Sequence, residues 1–275
     1  MYGAIIGDIV GSVYEFDNIK TKDFPFLTHK CTFTDDTILT IAVARALLRY
    51  REECPAPTID LKEFLVESVR ELCLKYPSPK GGYGMRFLNW LYTNSKEPYN
   101  SFGNGSAMRV SACGLLANSM EQALLLAKYS AEITHNHPEG VKGAQAVAGA
   151  IFLAKCGSSK EEIKKFIEKD YYSIDFSLDD IRDTYEFNES CQGTVPQAIV
   201  AFLESTDYED AIRNAISLGG DSDTLAAITG SIAWTYYKNS NEAIKYPVSQ
   251  EIIDVVNSML PEDFVETIKK IEERI

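Results

Sequence analysis

The sequence predicts an all-α fold, a compact single-domain orthogonal bundle of roughly a dozen helices, on three observations. Apolar residues recur at helical spacing through most of the chain. Strand-like alternation is hard to find anywhere in it. Glycine and proline gather in short clusters between the periodic stretches, and none of these clusters resembles an interdomain linker. With 275 residues, 45% apolar and 24% charged, the chain is long enough for one large core and ordinary for a globular protein. Residues 1–275 are therefore read as one domain.

The elements follow in order. Met1 to Phe16 is fairly apolar and forms a first helix ending near Glu15. It lacks a basic start and Asp8 interrupts it, so it does not read as a signal peptide. Thr34–Tyr50 carries Ile38, Ile41, Ala42, Ala44 and Leu48 on one face. Leu61–Tyr76 repeats the pattern with Phe64, Leu65, Val69, Leu72 and Cys73. Gln122–Ile133, Val141–Lys155, Lys160–Glu168, Val195–Leu203, Asp210–Leu218 and Asp223–Lys238 follow, and two more helices fall near 249–259 and 262–274. Pro55 and Pro57 precede one helix, Pro77 to Gly84 breaks the chain after it, and Pro98 to Gly105 is a Gly/Ser/Asn-rich loop. Segment 170–194 is acidic and aromatic without clear periodicity.

Charge and cysteines narrow the function. A formal net charge of −13 repels nucleic-acid phosphates, which argues against a nucleic-acid partner. An anionic small ligand needs local positive groups or bound cations to offset that field. The six cysteines, at 31, 54, 73, 113, 156 and 191, form no zinc spacing. Scattered thiols of this kind fit a reducing cytoplasm. No apolar run is long enough to span a membrane, and a monomer is expected.

The chemical signal lies in two acidic clusters. Thr34-Asp35-Asp36-Thr37 opens one helix, and Asp221-Ser222-Asp223-Thr224, after Gly219-Gly220, opens another. Either alone is explained by capping, because Thr and Asp suit helix N-termini. Two adjacent acids at each end add repulsion that capping does not need. If the two ends converge in a partly dry place, only cations make the carboxylates stable together. All candidate ligands are oxygens, so the cations would be hard, and magnesium or manganese fits better than zinc or copper. Spacing alone does not establish convergence.

Six segments in order resemble one family, the ADP-ribosylglycohydrolases, which include nitrogenase-reductase-activating glycohydrolases, serine-ADP-ribose hydrolases and J1 crystallins. They are Gly3 to Phe16, Thr34 to Thr37, Gly81 to Gly84, Ser101 to Val110, Thr134 to Gly140 and Ser217 to Gly230. The resemblance implies a binuclear metal centre holding two divalent cations. Thr34, Asp35 and Asp36 match the first set of ligands, and Asp221, Asp223 and Thr224 the second. Glu15 matches a glutamate at that site, so Glu15, Asp36 and Asp223 are the catalytic candidates. Asp8 matches a family aspartate and is read either as supporting the metal ligands from behind or as structural, since Gly7-Asp8 at a helix bend equally satisfies backbone groups. In the loop Ser101, Phe102, Gly103 and Asn104, backbone N–H groups suit a diphosphate, and Gly82, Tyr83 and His135 join the substrate-binding set. Met108, Arg109 and His137 are read as structural, with a buried Arg109 expected to pair with an acid.

The implied activity is metal-dependent hydrolysis that releases ADP-ribose from modified proteins or small conjugates, by cleaving an N- or O-glycosidic bond at the ribose. The absence of GxSxG or a Cys/His triad pattern favours direct attack by water. The competing readings are a hydrolase of small derivatives such as O-acetyl-ADP-ribose and a non-catalytic ADP-ribose-binding, crystallin-like protein. The linkage stays open. Segment 78–84 lacks the acid of the nitrogenase type, and its GYG form is similar to the serine branch, whereas His135 to Pro138 resembles the nitrogenase type.

Overall fold

A computed structural model describes every residue except 54–60, 94, 96, 241–245 and 275. Cys54, Pro55 and Pro57 lie outside the described residues. Fifteen helices are present among those described. They are α1 (Tyr2–Gly11), α2 (Asp35–Glu53), α3 (Leu61–Lys75), α4 (Met85–Tyr92), α5 (Gly105–Met108), α6 (Ser111–Leu116), α7 (Met120–Glu132) and α8 (Pro138–Lys155). After these come α9 (Lys160–Asp170), α10 (Leu178–Ile181), α11 (Cys191–Leu203), α12 (Tyr208–Ile216), α13 (Ser222–Asn239), α14 (Gln250–Met259) and α15 (Glu262–Glu272).

No strand occurs among the described residues, which bears out the all-α expectation. The extra helices over the expected dozen are short pieces such as α5, α6 and α10, too brief for a periodic signature. Helix α11 begins four residues before the expected start and runs through Pro196. Ser190 caps it by accepting from Gly193 N–H. Helix α1 continues through Asp8 without a bend at Gly7.

The buried apolar side chains form one cluster running from Met1 to Ile271. No helix among the described residues is long and apolar enough to cross a membrane. The five described cysteines are unpaired.

The centre of the molecule is the contact between α1 and α13. All ten residues of α1 are buried, and it meets α13 along Gly3, Gly7 and Gly11, one glycine per turn. A Cβ on Gly3 would lie 2.2 Å from the Gly230 carbonyl oxygen, and one on Gly7 would lie 2.1 Å from that of Ala226. A Cβ on Gly11 would come within 2.5 Å of Asp223 Cα. These distances are below van der Waals contact, so the backbones touch only because the side chains are absent. At the N-terminal end of α13, Gly219 and Gly220 both have positive φ, +68° and +72°. They turn the chain from α12 into α13. Asn18 clasps this turn, donating to Gly220 O at 2.9 Å and accepting from Gly220 N–H at 2.7 Å.

Candidate active site

Asp8 joins the first two helices. Its carboxylate is fully buried on α1. It accepts from the Thr34 N–H at 3.0 Å and hydroxyl at 2.7 Å, and from the Thr37 N–H at 3.1 Å and hydroxyl. The two N–H groups are donors that a helix start leaves unpaired. Burial pushes the Asp8 carboxyl up, and the four hydrogen bonds oppose the shift. Thr34 Oγ1 also accepts from Asp36 N–H at 3.2 Å. The start of α2 is thus satisfied by Thr34 and Asp8, which leaves Asp35 and Asp36 uncommitted to capping.

Those two carboxylates face the ones at the start of α13. Thr224 Oγ1 donates to Asp36 Oδ2 at 3.3 Å across the site. Asp221 accepts from the Asn104 amide at 2.6 Å, and Asp223 Oδ1 accepts from Thr224 N–H at 3.0 Å. Asp36, Asp221, Asp223 and Thr224 are all buried. Burial raises the carboxyls of Asp35, Asp36 and Asp223 well above the usual range, and the charges of neighbouring aspartates add to it. Asp221 is raised too, chiefly by burial. Glu15 is pushed up to about 7 by burial and then by the charges of Asp221 and Asp8.

The donor set suits hard cations. Asp36 Oδ1 and Glu15 Oε2 are buried without a hydrogen-bond partner, an arrangement that costs free energy unless a cation or proton is present. Every candidate donor here is a carboxylate or hydroxyl oxygen. Among the described residues no three His, Cys, Asp or Glu side chains already stand as a set that holds an ion. Binding therefore has to draw on the threonine hydroxyls, on water or on a small side-chain movement.

A cleft of about 600 Å³ opens over these carboxylates. Of the expected residues, Glu15, Asp35, Asp36, Gly82, Tyr83, Ser101, Gly103, Asn104, His135, Asp221, Asp223 and Thr224 line it. Thr34 does not, being buried behind the floor. Phe102 does not line it either: it is exposed, and its ring stands 5.4 Å from that of His137. His137 caps α8 by accepting from Glu139 N–H. The Tyr83 hydroxyl is spent on Tyr76 O at 2.9 Å, so only its ring is offered to the cleft.

The loop 101–105 departs from its expected role. Gly103 N–H donates to Ser101 Oγ at 3.1 Å, and Asn104 N–H to Glu189 O at 2.7 Å. Neither is free for a phosphate. The Asn104 amide holds Asp221 and Thr194 Oγ1 rather than standing open. Two isolated bridges pin the walls: Thr34 with Lys80, and Gly103 with Ser190. The first lays the 81–84 turn against Glu15, where a Cβ on Gly81 would lie 2.7 Å from Glu15 Oε2.

Arg109 corrects a second expectation, since among the described residues no acid lies within ion-pair distance of it. It is fully buried and donates from Nη2 to Ser130 O at 2.6 Å and Thr134 Oγ1 at 2.8 Å. A carbonyl and a hydroxyl replace the expected carboxylate. Thr134 Oγ1 in turn lies 2.7 Å from His135 Nδ1. Burial, reinforced by Arg109 and Arg86, drives the His135 imidazole well below its ordinary value, so it is neutral.

Sequence reasoning missed Phe16, Arg86, Tyr99, Phe187 and Glu189, which also line the cleft. Phe187 and Glu189 come from segment 170–194. Their one signal was the aromatic and acidic composition of a stretch without periodicity, which suits a wall built of loop.

Comparison with known proteins finds relatives in sequence and in fold. The sequence matches the profile described as ADP-ribosylglycohydrolase over residues 1–251. It is 28% identical to "ADP-ribosylhydrolase ARH3" of Homo sapiens, covering 86% of this chain and 83% of that protein. The Gallus gallus protein of the same name is 27% identical over the same shares. A protein of Archaeoglobus fulgidus without an assigned activity is 31% identical, with 84% of each chain covered. A solved structure described as "ADP-ribosylglycohydrolase-related protein complex" has the same fold, with a TM-score of 0.65 at 22% identity, covering 99% of this chain and 93% of that one.

Proposed function

This chain belongs to the ADP-ribosylglycohydrolase family, and from that premise we propose that it hydrolyses the glycosidic bond linking ADP-ribose to a modified protein or small conjugate. The observation that carries the reading is the pair of partnerless buried oxygens, Asp36 Oδ1 and Glu15 Oε2, in the carboxylate floor of the cleft. Divalent cations fit that floor, and two magnesium or manganese ions are our reading. Asp35 and Asp36 would hold them from one side, with Thr34 Oγ1 joining from behind the floor through the lone pair left beside its bonds to Asp8 and the Asp36 N–H, and Asp221, Asp223 and Thr224 from the other. When bound, such ions would orient the ribose hydroxyls and make water a better nucleophile.

The chain's own groups supply the rest. Glu15, with a carboxyl near 7, can hold or release a proton at neutral pH, as a general acid or base must. Asp36 and Asp223 are the other two groups we assign to catalysis. Arg86, Arg109 and His135 stand along the cleft as a positive or donor-bearing wall that suits a diphosphate. The floor and that wall are opposite in charge, as a substrate with a neutral ribose and an anionic tail requires. Gly82 and the Tyr83 ring bound the floor, and the rim at Ser101 and Gly103 contacts the ADP part. The five described cysteines, unpaired, support a reducing compartment, and a monomer is our reading of the oligomeric state.

The test is ADP-ribose release, read by mass spectrometry, from arginine-linked peptide, serine-linked peptide and O-acetyl-ADP-ribose. Release from at least one, abolished by chelator and by Asp223→Ala, is expected. ADP-ribose binding without release from any of the three would make this a binding protein. Failure to bind ADP-ribose with the ion present would sink the reading altogether.

A further inference from the structure

Arg109 is a buried cation without a counterion among the described residues, an arrangement that costs free energy and calls for a reason. Its Nε and Nη1 have no hydrogen-bond partner, yet it contributes to the inner wall of the cleft. Only Nη2 is engaged, on Ser130 O and Thr134 Oγ1.

The direction of the next bond follows from donor chemistry. A guanidinium only donates, so Thr134 Oγ1 accepts from Arg109 and keeps its own hydrogen for another partner. His135 Nδ1 lies 2.7 Å away, within reach of that hydrogen. The Tyr99 ring lies 5.9 Å from the imidazole. Its phenol, pushed up to about 12 by burial, stays protonated. The charged groups acting on the imidazole are Arg109 and Arg86, and both oppose its protonation. A neutral imidazole that accepts at Nδ1 carries its proton on Nε2. His135 Nε2 faces the 103–105 turn, 3.4 Å from where a Cβ would sit on Gly103 or Gly105, and no protein acceptor meets it among the described residues.

We propose that Arg109 and Thr134 are positioning residues for His135: through the threonine hydroxyl they hold the imidazole as the neutral tautomer with its proton on Nε2. The cleft then offers a bound diphosphate one oriented N–H donor, backed by a buried positive charge. The donor is one that a protein-bound acceptor would otherwise quench. The diphosphate half of this inference rests on the function proposed above, whereas the tautomer half does not.

The experiment is ¹⁵N NMR of the imidazoles in the wild-type chain without ligand, followed by ADP-ribose titration in the presence of manganese. His135 is expected to show the Nε2–H pattern, unchanged between pH 8 and pH 6. Thr134→Val keeps the shape and removes the hydroxyl. It should blur that pattern and weaken ADP-ribose binding roughly tenfold, the size of one lost hydrogen bond to a charged group, while manganese affinity holds. Thr134→Ser should restore both. An Nδ1–H pattern in the wild type, or a Thr134→Val protein with unchanged pattern and affinity, overturns the relay. A wild type with the Nε2–H pattern that binds no ADP-ribose upholds the relay and overturns the functional reading instead.

Discussion

Glu15 stands where chain conformation and protonation meet. Its carboxyl is half-buried beneath the Gly81 turn, has one partnerless oxygen and is raised to about 7. Glu15→Gln retains the shape and removes the titratable proton. Turnover is expected to fall roughly 10²–10⁴-fold, the range for a general acid or base, with ion affinity by calorimetry changed far less. A variant that keeps full turnover removes Glu15 from the chemistry. At this scale the two acidic clusters were legible as helix-start carboxylates too numerous for capping. Asn104 and Arg109 were not legible. A Gly/Ser/Asn composition speaks of backbone conformation and not of which partner the amide finds, and charge counting foresees an acid where the fold supplies a carbonyl and a hydroxyl.

Helices α1 and α13 bring the clusters together, and they do so by backbone contact. The glycines of α1 recur every fourth position, a pattern visible in the chain but without meaning until the partner helix is known. Gly7→Ala puts a methyl 2.1 Å from the Ala226 carbonyl oxygen, and neither helix backbone can yield without moving the other. The expected cost is about 1–3 kcal/mol, in the range for overpacked cores, measured as a lowered urea midpoint. An unchanged midpoint would mean the two helices slide freely. The long helices were legible from their periodicity, whereas the short α5 and α10 were not, because four residues carry no period.

For the whole molecule, the site sets how stability follows pH. A carboxyl raised in the folded state binds its proton more tightly there than in the unfolded chain. Between the unfolded value, near 4, and the folded one, stability therefore falls as pH rises. Asp8, Asp35, Asp36, Asp221, Asp223 and Glu15 all act in that direction. His135 acts oppositely, losing stability as pH drops below about 6.5, because only the unfolded chain takes up the proton. In chelator, the Tm is expected to decline from pH 6 to pH 8. Manganese at a fixed concentration, about a hundred times its Kd at pH 8, should add roughly 2.7 kcal/mol there and less at pH 6, where the ligands are protonated. Scanning calorimetry at the two pH values checks this. A Tm in chelator that is flat or rises over that interval contradicts it.

The same centre has a consequence for how the protein is made. Asn18 and Gly220, which clasp one another, lie 202 positions apart, and the Asp36–Thr224 bond spans 188. On the ribosome, α1 emerges as an almost wholly apolar helix long before α13, the helix that will cover it. Until then it has no glycine-matched partner, and the first carboxylate cluster has nothing opposite it. The nascent chain must keep that helix from straying until α13 has been made, and the hydrolytic site comes into being only then.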